Sequence, residues 1–365
     1  MTEPTVSNGS IEELRKVIDA TDAELFGLLE KRAKLARSIG KLKAAGAVYK
    51  PEREREIFER TVARAKTEGT LMSEEAIRSI VREIISACRA VEAMPRVAFL
   101  GPRGTFTEEA VIRQFGSSVK ALPCGSLDEV FHEAASGTAD FAVVPVENST
   151  EGIVTRTADL LLTTPLKVIG EVNVAVHHNL MNRSGKREDI VEVHAHPQAL
   201  AQCRLWLMTH LPQAKLVPSS SNAQAAKEAT ADPKVAALAA ERAAALYELH
   251  IAAHAVEDDP RNCTRFLVLG KESCGKAQNV LHKTSLIFSV PNRAGALLDA
   301  LAPFAKYKVS MVRLESRPAR NGAWDYNFYV DVDGHIEDDP ISKAVEELGQ
   351  IALYLKILGS YTAAY

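Results

Sequence analysis

The chain has 365 residues, 46% hydrophobic and 25% charged, with a formal net charge of −3, which is enough for two or three domains with real cores. A charge this near balance offers no field to recruit nucleic acid or membrane, and no stretch approaches the roughly 20 apolar residues that span a bilayer. The five cysteines, Cys88, Cys124, Cys203, Cys263 and Cys274, are odd in number and form no C-x-x-C pair. They point to reduced thiols in a cytoplasmic protein and away from a structural zinc site. Residues 1–10 lack a basic segment and an apolar run, so they do not read as a signal peptide.

From Ile11 to about Lys43, apolar residues recur at Leu14, Ile18, Leu25, Leu28, Leu35, Ile39 and Leu42. Thr21 and Arg32 fill the remaining beats of one helix about 48 Å long. Gly46 and Pro51 break it, and a second helix presents Ile57, Phe58 and Val62 before Gly69 ends it. Ser73 caps a third helix, with Glu74 and Glu75 in its first turn and a stripe at Ile77, Val81, Ile84, Ile85, Cys88 and Val91. Three helices in roughly 90 residues make a poor monomeric core, so the long seam predicts an intertwined homodimer. Arg32 stands on that seam, where a guanidinium needs a partner or an anionic ligand.

Glu13-Leu14-Arg15, Leu28 to Arg32, Gly40 to Lys43 and Pro51 to Glu54 resemble an all-helical chorismate mutase over about residues 11–92. The resemblance implies a site between helices that rearranges chorismate to prephenate without a covalent step. Arg32 and the partner subunit's Arg15 would hold the two carboxylates, and Lys43 would donate to the ether oxygen as charge builds there. Arg53 and Glu54 would orient the substrate. Three positions depart from the family pattern: Lys50 replaces an acid, Cys88 a serine, and Glu92 a glutamine that donates to the ether oxygen. A carboxylate donates only when protonated, so mutase activity is expected to fall as pH rises and Glu92 ionises.

After Met94-Pro95, Arg96 to Leu100 reads as a strand, Gly101 to Thr107 as a glycine-rich turn, and a helix starts near Glu108. Such a helix N-terminus can receive an anion, and a plain βα loop fits the same residues at least as well. Further strands fall at Phe141 to Ser149, Val168 to His177, Val191 to His194 and Val235 to Ala239, with helices at Ala199 to Leu211 and Ala223 to Ala231. The alternation predicts a mostly parallel sheet with helices on its faces, in two lobes around a cleft. Asp258 to Leu269 is a polar turn running into an apolar strand, with Thr264 and Arg265 at its mouth. A hydroxyl beside a guanidinium suits an acidic small molecule.

Ala98 to Pro102 with Gly104-Thr105-Phe106, Pro145 to Ser149, His196 to Ala199, Ser219 to Ala223 and Asn262 to Phe266 together resemble a prephenate dehydratase domain. The resemblance implies a two-lobed fold like a periplasmic binding protein and conversion of prephenate to phenylpyruvate. Thr264 would give a proton or hydrogen bond to the departing ring hydroxyl, and Arg265 would anchor a carboxylate. Glu147, Asn148, Ser149, Thr105 and Phe106 would line the cleft.

Beyond a polar linker, strands at Thr284 to Val290, Ser310 to Ser316, Trp324 to Val332 and Leu353 to Leu358 alternate with helices at Ala296 to Tyr307 and Ile341 to Leu348. The order βαββαβ is a ferredoxin-like split unit. Gly295-Ala296-Leu297-Leu298 and Glu315-Ser316-Arg317-Pro318 resemble an ACT domain of the phenylalanine-sensing kind. These eight residues are the expected effector site.

The joint expectation is a multidomain protein: an all-α chorismate mutase (residues 1–94), a two-lobed α/β dehydratase (95–275) and an α+β regulatory domain (280–365). It implies chorismate and prephenate as substrates, L-phenylalanine as effector, a homodimer or larger homo-oligomer, and neither cofactor nor metal. The same motifs leave open a dehydratase that takes arogenate, and a phenylalanine-sensing protein with inactive catalytic modules.

Overall fold

The computed structural model describes residues 10–42, 49–319 and 326–364. Its N-terminal unit is α1 (Ile11–Leu42), α2 (Pro51–Glu68) and α3 (Glu74–Glu92). Pro51 opens α2, where a missing N–H is harmless, and Ser73 Oγ accepts from the Ala76 N–H at 3.1 Å to start α3. The long helix buries none of its residues. Leu25 and Leu28 of its apolar seam are 51% and 65% exposed. Its later turns rest on α3: at Gly40 an added Cβ would lie 2.4 Å from Glu92 Cγ.

The first α/β lobe contains β1 (Arg96–Leu100), α4 (Phe106–Phe115), β2 (Lys120–Cys124), α5 (Leu127–Ser136), β3 (Phe141–Asn148), β4 (Gly152–Ile153), α6 (Thr155–Thr163) and β5 (Lys167–Ala175). The second contains β6 (Asn179–Asn182), β7 (Glu192–Ala195), α7 (Pro197–Gln202), α8 (Arg204–His210), β8 (Lys215–Pro218), α9 (Asn222–Ala229), β9 (Val235–Ala239), α10 (Glu241–Tyr247) and β10 (His250–Ala253). The chain then returns to the first lobe as β11 (Cys263–Gly270). Strand order is β2-β1-β3-β11-β5 in one sheet and β10-β6-β9-β7-β8 in the other.

Both sheets are mixed, which corrects the expectation of mostly parallel strands. β11 runs antiparallel to β3 and β5, because β5 leads out of the first lobe and β11 leads back. The single helix expected over residues 199–211 is two, divided at Cys203. The Asp258 carboxylate caps the second, accepting from the Leu205 and Trp206 N–H groups at 3.0 Å each.

The C-terminal unit is β12 (His282–Ser289), α11 (Ala296–Lys306), β13 (Met311–Pro318), β14 (Tyr326–Asp333), α12 (Asp339–Ile351) and β15 (Tyr354–Thr362). Its sheet runs β13-β14-β12-β15, the expected split unit; Trp324 lies outside the described residues. Phe288, Phe304 and Leu348 pack between the sheet and its helices. The other face, with Ile287, Tyr329, Leu358 and Tyr361, shares one core with Leu161, Leu267 and Leu269 of the first lobe. β15 lies close against β5: a Cβ at Gly359 would stand 2.1 Å from the Val168 carbonyl oxygen.

Candidate active site

Thr264 is the second residue of β11, at the boundary between the lobes, opposite Asn148 on one side and Val174 on the other. Asn148 Oδ1 accepts from Thr150 N (3.1 Å), Thr150 Oγ1 (2.6 Å) and Glu151 N (3.2 Å). Those three donors fix which end of the amide carries nitrogen. The nitrogen therefore donates to Thr264 Oγ1 at 2.8 Å and to Asn262 Oδ1 at 2.8 Å. Because Thr264 Oγ1 accepts here, its own hydroxyl hydrogen stays available to donate. Ser149 Oγ accepts from Cys263 N at 3.0 Å, so it braces the same segment.

The network continues toward the second lobe. Asn262 Nδ2 donates to Gln202 Oε1 at 3.1 Å, and His178 Nε2 lies 2.9 Å from that oxygen. Glu257, buried, receives the His178 N–H at 2.8 Å and sits 2.7 Å from Nδ1 of the half-exposed His177. Burial holds His178 below the ordinary histidine range. Gln202, His178 and Glu257 were missed in the sequence, where each looks like a loop or helix residue; Asn262 stands in the dehydratase motif but carried no expected role. Glu109 on α4 was missed too; burial raises its carboxyl above the usual range, with Arg113 and His177 working the other way.

The glycine-rich turn does not offer an empty helix terminus. Thr105 caps α4 by accepting from Glu108 N at 3.3 Å. Glu108, buried, accepts from Gly104 N at 2.7 Å and from Arg242 Nε at 3.3 Å. The protein's own carboxylate fills the place expected for an anion, and Arg242 on α10 ties the lobes together. Phe106 meets the His178 ring edge-on at 5.6 Å.

Thr264 and Arg265 do not act side by side, which corrects the expected pairing. Successive strand residues face opposite sides. Phe266 and Val268, on the Thr264 side, join the core with α4, while Leu267 and Leu269 join the core shared with the C-terminal sheet. Arg265 follows the second set. Its Nε donates to Glu171 at 2.7 Å, Nη1 to Asp331 at 2.6 Å and Nη2 to the Tyr361 hydroxyl at 2.9 Å. Glu147 turns the same way and pairs with Arg313 at 2.8 Å.

In the helical unit, Arg32 Nη1 donates to Ile84 O at 3.2 Å, and Glu54, Cys88 and Glu92 lie on the inner surfaces of α2 and α3. Burial raises the Glu54 carboxyl, while Arg89 and Arg32 oppose the rise. Arg15 is exposed and does not join this group; Arg53 is exposed and pairs with Glu56 at 3.1 Å. Lys43 lies outside the described residues. Arg89 was missed: its buried guanidinium donates to Glu54 and to the Phe115 carbonyl and lies over the rings of Tyr49 and Phe115, 5.2 and 5.6 Å from their centroids. Its signal was its place four residues after Ile85 on an apolar stripe. A cavity of about 880 Å³ opens beside Glu54, lined also by Arg78, Arg113, Glu171 and Thr362. It lies at the junction of the three units and not at Thr264.

In the C-terminal unit, β-pairing puts Arg317 and Ser289 in one row through Asn327, so the turn at Gly295 and the end of β13 share one end of the sheet. Gly295 has φ 81°, the left-handed start of α11. Ala296 is buried, Leu297 half-buried and Leu298 exposed; Glu315 is half-buried, Ser316 and Pro318 exposed. Arg317 pairs with Asp159 of α6 at 3.1 Å.

Comparisons with known proteins fit this layout. The family models for chorismate mutase type II, prephenate dehydratase and the ACT domain match residues 14–93, 97–274 and 284–350. A bifunctional chorismate mutase/prephenate dehydratase of Neisseria gonorrhoeae is 44% identical, covering 97% of this chain and 99% of the relative. Its counterpart in Aquifex aeolicus is 42% identical, covering 97% and 98%. The crystal structure of prephenate dehydratase from Arthrobacter aurescens in complex with L-Phe is 36% identical with a TM-score of 0.68, covering 73% of this chain and 89% of that one.

Proposed function

The chain belongs to the family of bifunctional chorismate mutase/prephenate dehydratases, and from that premise we propose how its parts divide the chemistry. It rearranges chorismate to prephenate and converts prephenate to phenylpyruvate, in phenylalanine biosynthesis under feedback by L-phenylalanine. Residues 1–94 carry the mutase, 95–275 the dehydratase and 280–365 the sensor.

In the dehydratase, the bond from the ring to its carboxylate breaks, the carboxylate leaves as carbon dioxide, and the bonding electrons move into the ring and expel the ring hydroxyl, which leaves as water once protonated. Thr264 meets that oxygen. The observation carrying this reading is the Asn148 amide, which fills an acceptor position on Thr264 Oγ1 and frees the hydroxyl hydrogen to point at substrate. Asn262 accepts from Asn148 and donates in turn to Gln202 of the second lobe, so the site is complete only with the lobes together.

In the mutase, Arg32 and the partner subunit's Arg15 clasp the carboxylates, Lys43 and Glu92 meet the ether oxygen, and Glu54 and Arg53 orient the ring. The exposed seam of α1 supports a homodimer there, since its leucines stay in water in a single chain. The effector binds where Gly295 to Leu298 and Glu315 to Pro318 meet at one end of the sheet. The protein works in the cytoplasm; among the described residues no helix is long and apolar enough to cross a membrane.

The test is one assay of purified protein given chorismate alone, with and without L-phenylalanine. Phenylpyruvate should form, and the effector should slow it. Unchanged chorismate would mean inactive modules; prephenate that stops there, with arogenate turned over in parallel, would mean the other substrate.

A further inference from the structure

Arg265 sits one residue from Thr264, yet its guanidinium is committed to partners inside the protein on the far face of β11. Each of its three nitrogens already donates, to Glu171, Asp331 and Tyr361. The Glu171 and Asp331 side chains are 1% and 6% exposed, and Arg265 itself 14%. The partners are bound in turn. Lys283 donates to Glu171 at 2.8 Å, as does the Ala364 N–H at 2.8 Å. Ser285 Oγ donates to Asp331 and lies 2.7 Å from the Tyr361 hydroxyl. Three cations, Arg265, Lys283 and Arg313, face three anions, Glu171, Asp331 and Glu147, so no positive charge is left over to draw in a carboxylate.

Every part of the C-terminal sheet that reaches this cluster comes from β12, β14, β15 or the tail beyond it, while the dehydratase offers β5 and β11. The cluster is therefore a joint between the sensor and the strand that carries Thr264. A second ion pair, Arg313 with Glu147, ties β13 to the residue preceding Asn148. Both hydrogen-bonded members of the proposed site, Thr264 and Asn148, are thus one residue from a tether to the sensor sheet. Gly359 seats β15 against the β5 backbone without an intervening side chain, so movement of the sensor sheet is transmitted and not absorbed.

We propose that Arg265 is a positioning residue and not a carboxylate anchor: it fixes Thr264 by fastening β11 to the sensor sheet, and the Glu171–Arg265–Asp331–Tyr361 cluster carries the effector's signal to the dehydratase site. This rests on the reading of Thr264 given above. An effector that favours a different seating of the sheet changes turnover through this joint, because it then binds two states unequally.

The test compares Arg265→Gln, Asp331→Asn, Tyr361→Phe and Thr264→Ala in the full chain, measuring prephenate kcat and KM, the fold inhibition by L-phenylalanine, and thermal unfolding to confirm a folded sample. Arg265→Gln and Asp331→Asn should each lower kcat roughly tenfold while KM moves less than about threefold, and their double variant should be no worse than either alone. Both, and Tyr361→Phe with its smaller change in shape, should reduce inhibition by L-phenylalanine. Arg265→Lys, which keeps charge but loses the fork, should recover only part of kcat. A rise of tenfold or more in KM for Arg265→Gln with Asp331→Asn silent would restore the anchor role and overturn the proposal. Unaltered inhibition in Asp331→Asn and Tyr361→Phe would overturn the signalling half. If Thr264→Ala keeps its turnover, the premise fails; if it is inactive while the cluster variants behave as the parent, this inference alone fails.

Discussion

Replacing Arg89 by methionine removes a cation that α3 buries against both Glu54 and α4. The Arg89 and Glu54 side chains are 4% and 16% exposed. Methionine keeps most of the volume but leaves the Glu54 carboxylate without its guanidinium. Breaking a buried pair at one end costs about 3–5 kcal/mol, and the partial exposure of Glu54 puts this case near the lower figure. Loss of the contacts to the Tyr49 and Phe115 rings adds about 1 kcal/mol, largely offset by thioether packing. Arg89→Met should therefore lose about 3 kcal/mol at neutral pH in urea denaturation followed by circular dichroism. The pH dependence has a definite sign. Burial raises Glu54 above its unfolded value, so its ionisation in the fold is unfavourable once Arg89 is gone. The deficit should be small below about pH 4, where Glu54 is protonated in both states, and grow as pH rises through the carboxylate range. Adding Glu54→Gln should recover most of the loss. A deficit under about 1 kcal/mol, or one that Glu54→Gln leaves in place, would refute the reasoning.

Burial also depresses His178, His282 and His335, so the unfolded chain takes their protons first. Native stability should hold above about pH 6.5 and decline below it, and His178→Gln should flatten part of the slope of melting temperature against pH. Gly359→Ala should destabilise the seating of β15 by about 1–3 kcal/mol, read as an earlier thermal transition, because its Cβ meets a backbone carbonyl that cannot swing aside; a parental transition would show that the joint is loose. Glu92→Gln, which places an amide donor where the ether oxygen is expected, should raise the mutase rate at neutral pH, and an unchanged rate would remove this position from the donor role.

Much of the architecture was legible because local signals and tertiary structure agree. Ser73 and Ser221 stand before their helices and cap them, and the βαββαβ order of the last unit follows from its alternating apolar runs. Where the reading failed, the cause lay between distant segments. Nothing near β11 tells that it returns antiparallel beside β5. Asp258 breaks a helix that is continuous by periodicity, acting from about 50 residues away along the chain. Arg265 was readable in part: alternation along a strand already places it opposite Thr264. Only the docked C-terminal sheet reveals what it meets. The seam of α1 was legible as apolar and stays exposed, because no segment among the described residues covers it.

The most direct measurement gives the Thr264→Ala protein chorismate alone and follows both products. Chorismate should vanish at the parental rate, prephenate should accumulate, and phenylpyruvate should form at least about 1,000-fold more slowly. Phenylpyruvate appearing at close to the parental rate would contradict the account at its centre.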